Sequence, residues 1–220
     1  MNLAKLALFS TVLVIALVGA LSLGGQGRGG RGAAGKKSKD GRIRPVPVKL
    51  NVYADNWFKL YINGKLIAVD SIDFVPHNVI SVDVIEEYPM TVAVLAKDFA
   101  DPETGLEWDN SQIGDGGLIL KLGGGIVSNS SWKAEKFSWG PLNSDMQHPK
   151  VVHNPLPEGW QRPDFDDSSW GNAVEYTVEQ VRPRTDYLQY DFEGARFIWT
   201  ESLELDNTII FRLRLDKRPD

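Results

Sequence analysis

The chain has 220 residues, of which 42% are hydrophobic and 10% aromatic, enough to bury the core of one folded domain. It contains no cysteine, which excludes disulfide bonds, thiolate metal sites, thiol catalysis and acylation of an N-terminal cysteine. The net charge of −5 is divided unevenly, because residues 1–44 carry +7 and residues 45–220 carry −12.

Residues 1–24 are typical of an export signal or a membrane anchor. Lys5 precedes an apolar run of 18 residues, Leu6 to Leu23, with small residues near Gly19 and Ala20 that suit cleavage. The same length suffices for a retained membrane tether through residues 6–23, and a buried helix is the third alternative. Most positive charges follow the run, which opposes the usual bias for export. We predict a secreted or cell-surface protein.

Residues 25–44 are rich in glycine and basic side chains and have almost no apolar bulk. Such a segment cannot bury enough surface to fold, and we predict a flexible linker. It has only two Arg-Gly-Gly-like units, so we predict no nucleic-acid partner. The basic charges suit contact with an anionic envelope or lipid surface.

Residues 45–218 have the alternation of apolar and polar side chains that predicts β-strands. Val48–Tyr53 is the first such run, and Phe58–Ile62 is joined to the next through Asn63-Gly64, a pair that favours a type I′ turn. In the last run, Phe211 faces opposite to Arg212. Further strands are predicted within residues 78–85, 90–99, 116–137, 195–205 and 208–215. Short helical turns are predicted at 167–170 and 178–181. A long surface loop is predicted at 141–163.

These seven or eight short strands, punctuated by Gly, Pro and Asn, predict an all-β fold, an antiparallel β-sandwich. The segments "ADNWFKLYINGKLIAVD", "PDFDDSSWGNAVEY" and "GARFIWT" resemble, in this order, pieces of galactose-binding-like jelly-roll domains. The chain is also similar to a group of secreted microbial and algal proteins of unassigned activity. The resemblance implies a jelly-roll fold and a carbohydrate ligand bound on loops or a concave face. It also implies a structural role for calcium.

Tryptophan side chains are the candidate sugar platforms, because an aromatic ring stacks on the apolar face of a pyranose. Trp170 and Trp199 lie in segments that resemble core strands. Of the others, Trp108 has the best neighbourhood, with Asp109 and Asn110 beside it, and Trp139 is a further candidate. The alternative is that these rings seal the edges of the sandwich. The remaining tryptophans at strand ends or in polar loops are Trp57, Trp132 and Trp160.

Asp55, Asn56 and Trp57 stand at the entrance of the clearest hairpin and allow two interpretations. Asp and Asn hydrogen-bond their own backbone and initiate turns, and Trp57 would then pack across the hairpin. Alternatively, Asp55 and Asn56 form a polar rim that binds a ligand. We keep all three as candidate ligand-binding residues.

Two acidic loops, "KDFADPETG" and "EWDNSQIGDGG", carry the oxygen ligands that calcium prefers. We predict Asp98, Asp101 and Asp115 as ligands of a structural calcium ion, with ordinary aspartate-capped turns as the alternative. His77, His148 and His153 would bind a metal only if the fold brought them together.

The function predicted from these patterns is non-catalytic binding, with a surface or extracellular glycan as partner. No catalytic residue is predicted, because acidic residues are too numerous to single out a pair and no Gly-x-Ser-x-Gly elbow occurs. Two alternatives stay open. One is a structural protein that self-associates through β-edges into an envelope layer or filament, and the other is an exported enzyme or accessory subunit.

Overall fold

The computed structural model describes residues 45–72, 74 and 79–219, so the predictions for residues 1–44 lie outside the described residues. Among the residues that are described, no helix is long and apolar enough to cross a membrane. The described helices are α1 (Val178–Val181) and two 3-10 helices, Leu142–Ser144 and Thr185–Gln189. The described strands are β1 (Val48–Asp55), β2 (Trp57–Ile62), β3 (Lys65–Val69), β4 (Ile80–Val84), β5 (Met90–Lys97), β6 (Leu106–Glu107), β7 (Gln112–Ile113), β8 (Gly117–Leu122), β9 (Ile126–Val127), β10 (Lys133–Trp139), β11 (Val152–His153), β12 (Gly171–Asn172), β13 (Val174–Tyr176), β14 (Phe197–Trp199) and β15 (Asp206–Leu215).

The strands form two antiparallel sheets and one small hairpin. Sheet I has the order β13-β14-β8-β1-β4, with β9 beside β8, and sheet II has the order β11-β10-β15-β5-β2-β3, with β12 beside β10. The hairpin β6–β7 pairs with neither sheet. Strand accounts for 42% of the structure and helix for 7%, which confirms the predicted all-β fold with antiparallel sheets.

The core lies between the two sheets and follows the predicted period-two pattern. Leu50, Val52 and Ala54 of β1 point inward and are fully buried. The predicted turn at Asn63-Gly64 joins β2 to β3, and both residues have positive φ angles (48° and 76°), as a type I′ turn requires. β5 is central in sheet II and buried along nearly its whole length, as its apolar sequence predicts.

The outer faces of both sheets are also covered. Val181 of α1 and Tyr187 pack on Tyr53, Ile119 and Phe197 of sheet I. On sheet II, a loop that includes residues 154–170 lays further aromatic side chains on Ala93, Leu95 and Ile210. The aromatic residues of this cluster are Trp57, Tyr61, Phe137, Trp160, Phe165 and Trp170.

Arg212 of β15 lies on the opposite face from Phe211, as the alternation predicts, but the loop buries it completely. Its Nε donates to Asp167 Oδ2 at 2.6 Å, and its Nη2 donates to the carbonyl of Arg162 at 3.1 Å. Its Nη1 donates to the carbonyl of Trp160. The guanidinium therefore holds the covering loop to sheet II.

Candidate functional site

The candidate site lies where the chain passes from sheet I to sheet II, between β1 and β2. Asn56 occupies the crossing, and its side-chain Oδ1 accepts a hydrogen bond from the backbone N–H of Phe99. Its own N–H donates to the carbonyl of Lys97, the last residue of β5. Asn56 is only 3% exposed and ties the crossing to the end of β5. Both bonds join Asn56 to residues more than 40 positions later in the chain, instead of the local backbone bond expected of a turn-initiating Asn.

Four carboxylates converge beside this crossing. Asp98 follows β5, Glu107 ends β6 and Asp115 precedes β8, and one oxygen from each lies within 4.8 Å of the others. Asp55, at the end of β1, is the fourth, because Asp115 and Glu107 are the charges that act on it most strongly. We call these four residues the acidic cluster.

Most of the acidic cluster is buried and short of hydrogen-bond donors. Asp55, Asp98 and Glu107 are 3–5% exposed, whereas Asp115 is exposed on one side. Within the described part of the chain, both oxygens of Asp98, Oδ1 of Asp55 and Oε1 of Glu107 are buried and receive no hydrogen bond from a donor. Asp98 and Glu107 can bond each other only through a shared proton. Buried polar atoms are normally paired, so four such oxygens at one place require a cation or protons.

The pKa values of these carboxylates reflect the same burial and mutual repulsion. Burial raises the pKa of Asp55 to about 8, assisted by the charges of Asp115 and Glu107 and opposed by Arg184. Burial, followed by the contact with Glu107, raises the pKa of Asp98 well above its usual range. Partial desolvation and Glu107 raise the pKa of Asp115 to about 6, against the opposing charge of Arg182. The cluster without a cation therefore retains protons near neutral pH.

Gly114 makes room for this cluster. A Cβ at position 114 would lie 1.9 Å from Asp98 Oδ2 and 2.9 Å from its Cγ. We expect Gly114→Ala to lower the free energy of unfolding by about 1–3 kcal/mol, because Asp98 and its surroundings must move. Urea unfolding measures the loss, and Gly124→Ala is the control, since a Cβ there has no heavy atom within 4 Å. Equal unfolding midpoints for the two variants would contradict this role.

Of the three predicted calcium ligands, the structure brings Asp98 and Asp115 together and places Asp101 elsewhere. Asp101 is exposed, and its Oδ1 accepts hydrogen bonds from the backbone N–H groups of Glu103 and Thr104. These bonds lower its pKa and make it the cap of its own turn. Glu107 is a cluster member that the loop composition did not single out, although it lies in one of the two acidic loops.

The hairpin β6–β7 carries the predicted Trp108, Asp109 and Asn110 in its loop. All three have left-handed backbone conformations, with φ angles of 48°, 56° and 62°. Trp108 is 50% exposed, which is unusual for a tryptophan. Asn110 accepts a hydrogen bond from the Thr104 hydroxyl, and Ser111 Oγ donates to the Trp108 carbonyl at 2.6 Å. Glu107 of the acidic cluster thus directly precedes this loop, and an exposed aromatic ring lies in the loop itself.

The other predicted platforms have intramolecular partners. Trp57 Nε1 donates to the carbonyl of Asp70 at 2.9 Å, which fastens the end of β3 to the start of β2. Lys59 and Lys97 lie over its ring. Trp139 is partly buried, with Lys136 Nζ 5.6 Å from its ring centroid. The tryptophans that are less than 10% exposed are Trp132, Trp160, Trp170 and Trp199.

Two concave surfaces lie on either side of α1. A cleft of about 280 Å³ adjoins the acidic cluster and is lined by polar side chains from three segments, including Gln112, Asp115, Gln180, Arg182 and Glu204. A wider groove of about 640 Å³ lies over sheet I and is lined mainly by apolar and aromatic side chains with a charged rim. Its lining includes Tyr176, Glu179, Tyr187, Phe192, Arg196 and Phe197.

The described histidines have separate surroundings. His148 lies 3.6 Å from Asp145, and His153 Nδ1 is 2.8 Å from Ser138 Oγ. The other ring nitrogen of His153 contacts the carbonyl of Pro102 instead of the carboxylate that a catalytic triad uses. His77 lies outside the described residues, and so does the question whether the three histidines meet.

Comparison with known proteins adds no assignment: no family model, no curated protein and no solved structure matches this chain. The resemblance to galactose-binding-like domains therefore stays a prediction. The site geometry alone carries the functional argument.

Proposed function

We propose that this protein is an exported, non-catalytic carbohydrate-binding protein that acts at the cell surface or in the extracellular matrix. We also propose that its sandwich is of the jelly-roll type. The observation that carries the proposed function is the β6–β7 hairpin, which combines the half-exposed ring of Trp108 in its loop with Gln112 and Ile113 in the lining of a polar cleft.

The cleft has the chemistry that hydroxyl recognition requires. Amide, guanidinium and carboxylate groups are planar and can bond adjacent hydroxyls of one sugar ring, and Ile113 and Leu203 add apolar surface. An aromatic ring supplies stacking for the apolar face of a pyranose. Gln112 of the cleft pairs with Glu107, the residue before Trp108. The ring and one wall of the cleft therefore belong to the same hairpin.

An enzymatic role has weaker support. Raised pKa values are common at active sites, and the acidic cluster has them. However, Asp55, Asp98 and Glu107 are almost wholly buried, so Asp115 is the one member of the acidic cluster that lines the cleft. Glycoside hydrolysis needs an acid and a base on either side of the scissile bond, and Glu204, the other carboxylate of the cleft, lies outside the cluster with the raised pKa values.

Assembly through β-edges is also less favoured. β3 stands at one end of sheet II and exposes Leu66, which offers an edge for pairing. The strand has only five residues and carries Lys65 beside Leu66, two features that protect edges from pairing.

Binding to a glycan array, followed by calorimetry with the best binder, tests the proposal. Trp108→Ala is expected to weaken binding roughly 10–100-fold, because a stacked tryptophan buries apolar surface worth about 1.5–3 kcal/mol. Trp139→Ala is the matched control. Arg196→Ala tests whether the glycan binds in the apolar groove over sheet I instead. Absence of any glycan ligand, combined with concentration-dependent polymers in light scattering, would replace the proposal by the assembly alternative.

A further inference from the structure

We propose that Asp98, Glu107 and Asp115 bind a hard divalent cation, Ca²⁺ by preference, and thereby fasten the β6–β7 hairpin to the sandwich. The three side chains come from segments that are separate in the fold. Asp98 follows a central strand of sheet II, Glu107 belongs to the hairpin, and Asp115 precedes β8 of sheet I. One oxygen from each lies within 4.8 Å of the others, close enough for a single ion to contact all three.

A second observation points to the same ligand. Asp55 is not one of the three, yet it is only 4% exposed, and its buried Oδ1 receives no hydrogen bond from the described residues. Both oxygens of Asp98 are likewise buried and receive no hydrogen bond from the described residues. Leaving a buried acceptor unpaired is destabilising, and more so for a charged group. A cation among these oxygens would satisfy them together.

Basic side chains do not neutralise the cluster. The salt bridges of the described residues include none to its four members. Arg182 and Arg184 act on Asp115 and Asp55 only at longer range. The negative charge at this place is therefore available to an ion.

The donor set selects the kind of ion. All ligands are carboxylate oxygens, with no histidine and no cysteine, which favours a hard cation over zinc or copper. Asp115 is exposed, so water can complete the coordination from that side. Ca²⁺ accepts six to eight oxygens in irregular geometry, whereas Mg²⁺ demands near-ideal octahedral geometry, so we choose Ca²⁺.

The ion would act on the hairpin. β6–β7 has only two strand pairs, Leu106 with Ile113 and Glu107 with Gln112, and a hairpin of that size is not stable alone. A cation that joins Glu107 to Asp98 and Asp115 would fix β6 and the segment that follows β7 to the sandwich. This consequence rests on the proposed function, because it makes glycan binding at Trp108 depend on Ca²⁺.

The test is calorimetry with CaCl₂ alone on the full 220-residue chain after removal of metals with a chelator, together with thermal unfolding. We expect one site with a dissociation constant of about 10⁻⁵–10⁻³ M, and a rise of several degrees in melting temperature at saturation. MgCl₂ is expected to bind at least about tenfold more weakly. No heat and no shift at about 10 mM CaCl₂ would overturn the inference.

Variants distinguish a bound ion from a purely structural cluster. Asp98→Asn and Glu107→Gln each replace a carboxyl group by a neutral amide of the same shape, so the metal-free variants are expected to stay folded while Ca²⁺ affinity falls at least about tenfold. Asp101→Asn and Asp109→Asn are matched controls, because both alter exposed acids in the same two loops. Unchanged Ca²⁺ affinity in Asp98→Asn and Glu107→Gln would overturn the site.

The inference and the proposed function can fail separately. Glycan binding that is equal in Ca²⁺ and in chelator, without any Ca²⁺ heat, overturns the cation site and leaves the function standing. Ca²⁺ binding that requires Asp98, in a protein without glycan ligands, supports the site and overturns the function.

Discussion

Asp167→Ala is expected to lower the free energy of unfolding by about 3–5 kcal/mol, because it leaves a buried guanidinium without its counter-ion. Arg212 is fully buried, and its ion pair with Asp167 measures 2.6 Å between Nε and Oδ2. The carbonyls of Trp160 and Arg162 accept the remaining hydrogen bonds but supply no full charge. Urea unfolding followed by tryptophan fluorescence measures the loss.

Two further variants identify the cause of this loss. Asp164→Ala removes an exposed carboxylate from the same loop and is expected to change stability by less than about 0.5 kcal/mol. Adding Arg212→Met to Asp167→Ala is expected to recover more than half of the loss, since an apolar side chain tolerates the site better than an unpaired charge. If Asp167→Ala cost no more than Asp164→Ala, the ion pair would not hold the loop.

The second large effect is on the pH dependence of stability in chelator. The free energy of unfolding is expected to fall by at least about 2 kcal/mol from about pH 5 to about pH 8. Burial and neighbouring charges raise the folded-state pKa of Asp55 to about 8 and that of Asp115 to about 6, whereas the unfolded value is about 3.9. In this window the folded protein holds more protons than the unfolded chain, so raising the pH removes stability.

Carboxylates with lowered pKa values do not interfere with this measurement. Asp101 and Asp191, for example, accept hydrogen bonds that lower their pKa, so their contribution is lost only on acidification below about pH 4. Asp55→Asn is expected to raise stability at about pH 8 and to change little at about pH 5, with Asp109→Asn as the control. Stability that is constant or rises across the window would contradict the burial of the cluster.

The sequence predicts those parts of the fold that depend on short-range chemistry. The Asn63-Gly64 turn needs positive φ angles that these two residues adopt readily, and it forms as predicted. The helical turn at Val178–Val181 has a complete capping box between Thr177 and Gln180. The short helical turn predicted at Asp167–Trp170 is a single hydrogen-bonded turn, in which the Trp170 N–H donates to the Asp167 carbonyl, and it does not extend into a helix.

The candidate site depends on long-range pairing, which local patterns do not contain. Asp98 and Asp115 were predicted together from the composition of their loops, but Glu107 joins them only because β6 pairs with β7. Asp55 joins them because the register of β1 against β8 places it opposite Gly117. The alternation of side chains along β15 predicts that Arg212 is exposed, and only the covering loop buries it.

A crystal structure of the full chain grown with CaCl₂ is the sharpest test of the proposal that the acidic cluster binds a cation and thereby holds the β6–β7 hairpin, which carries Trp108. We expect anomalous density for one ion about 2.3–2.6 Å from oxygens of Asp98, Glu107 and Asp115. Density for water alone among these carboxylates, or an ion bound elsewhere on the sandwich, would contradict it.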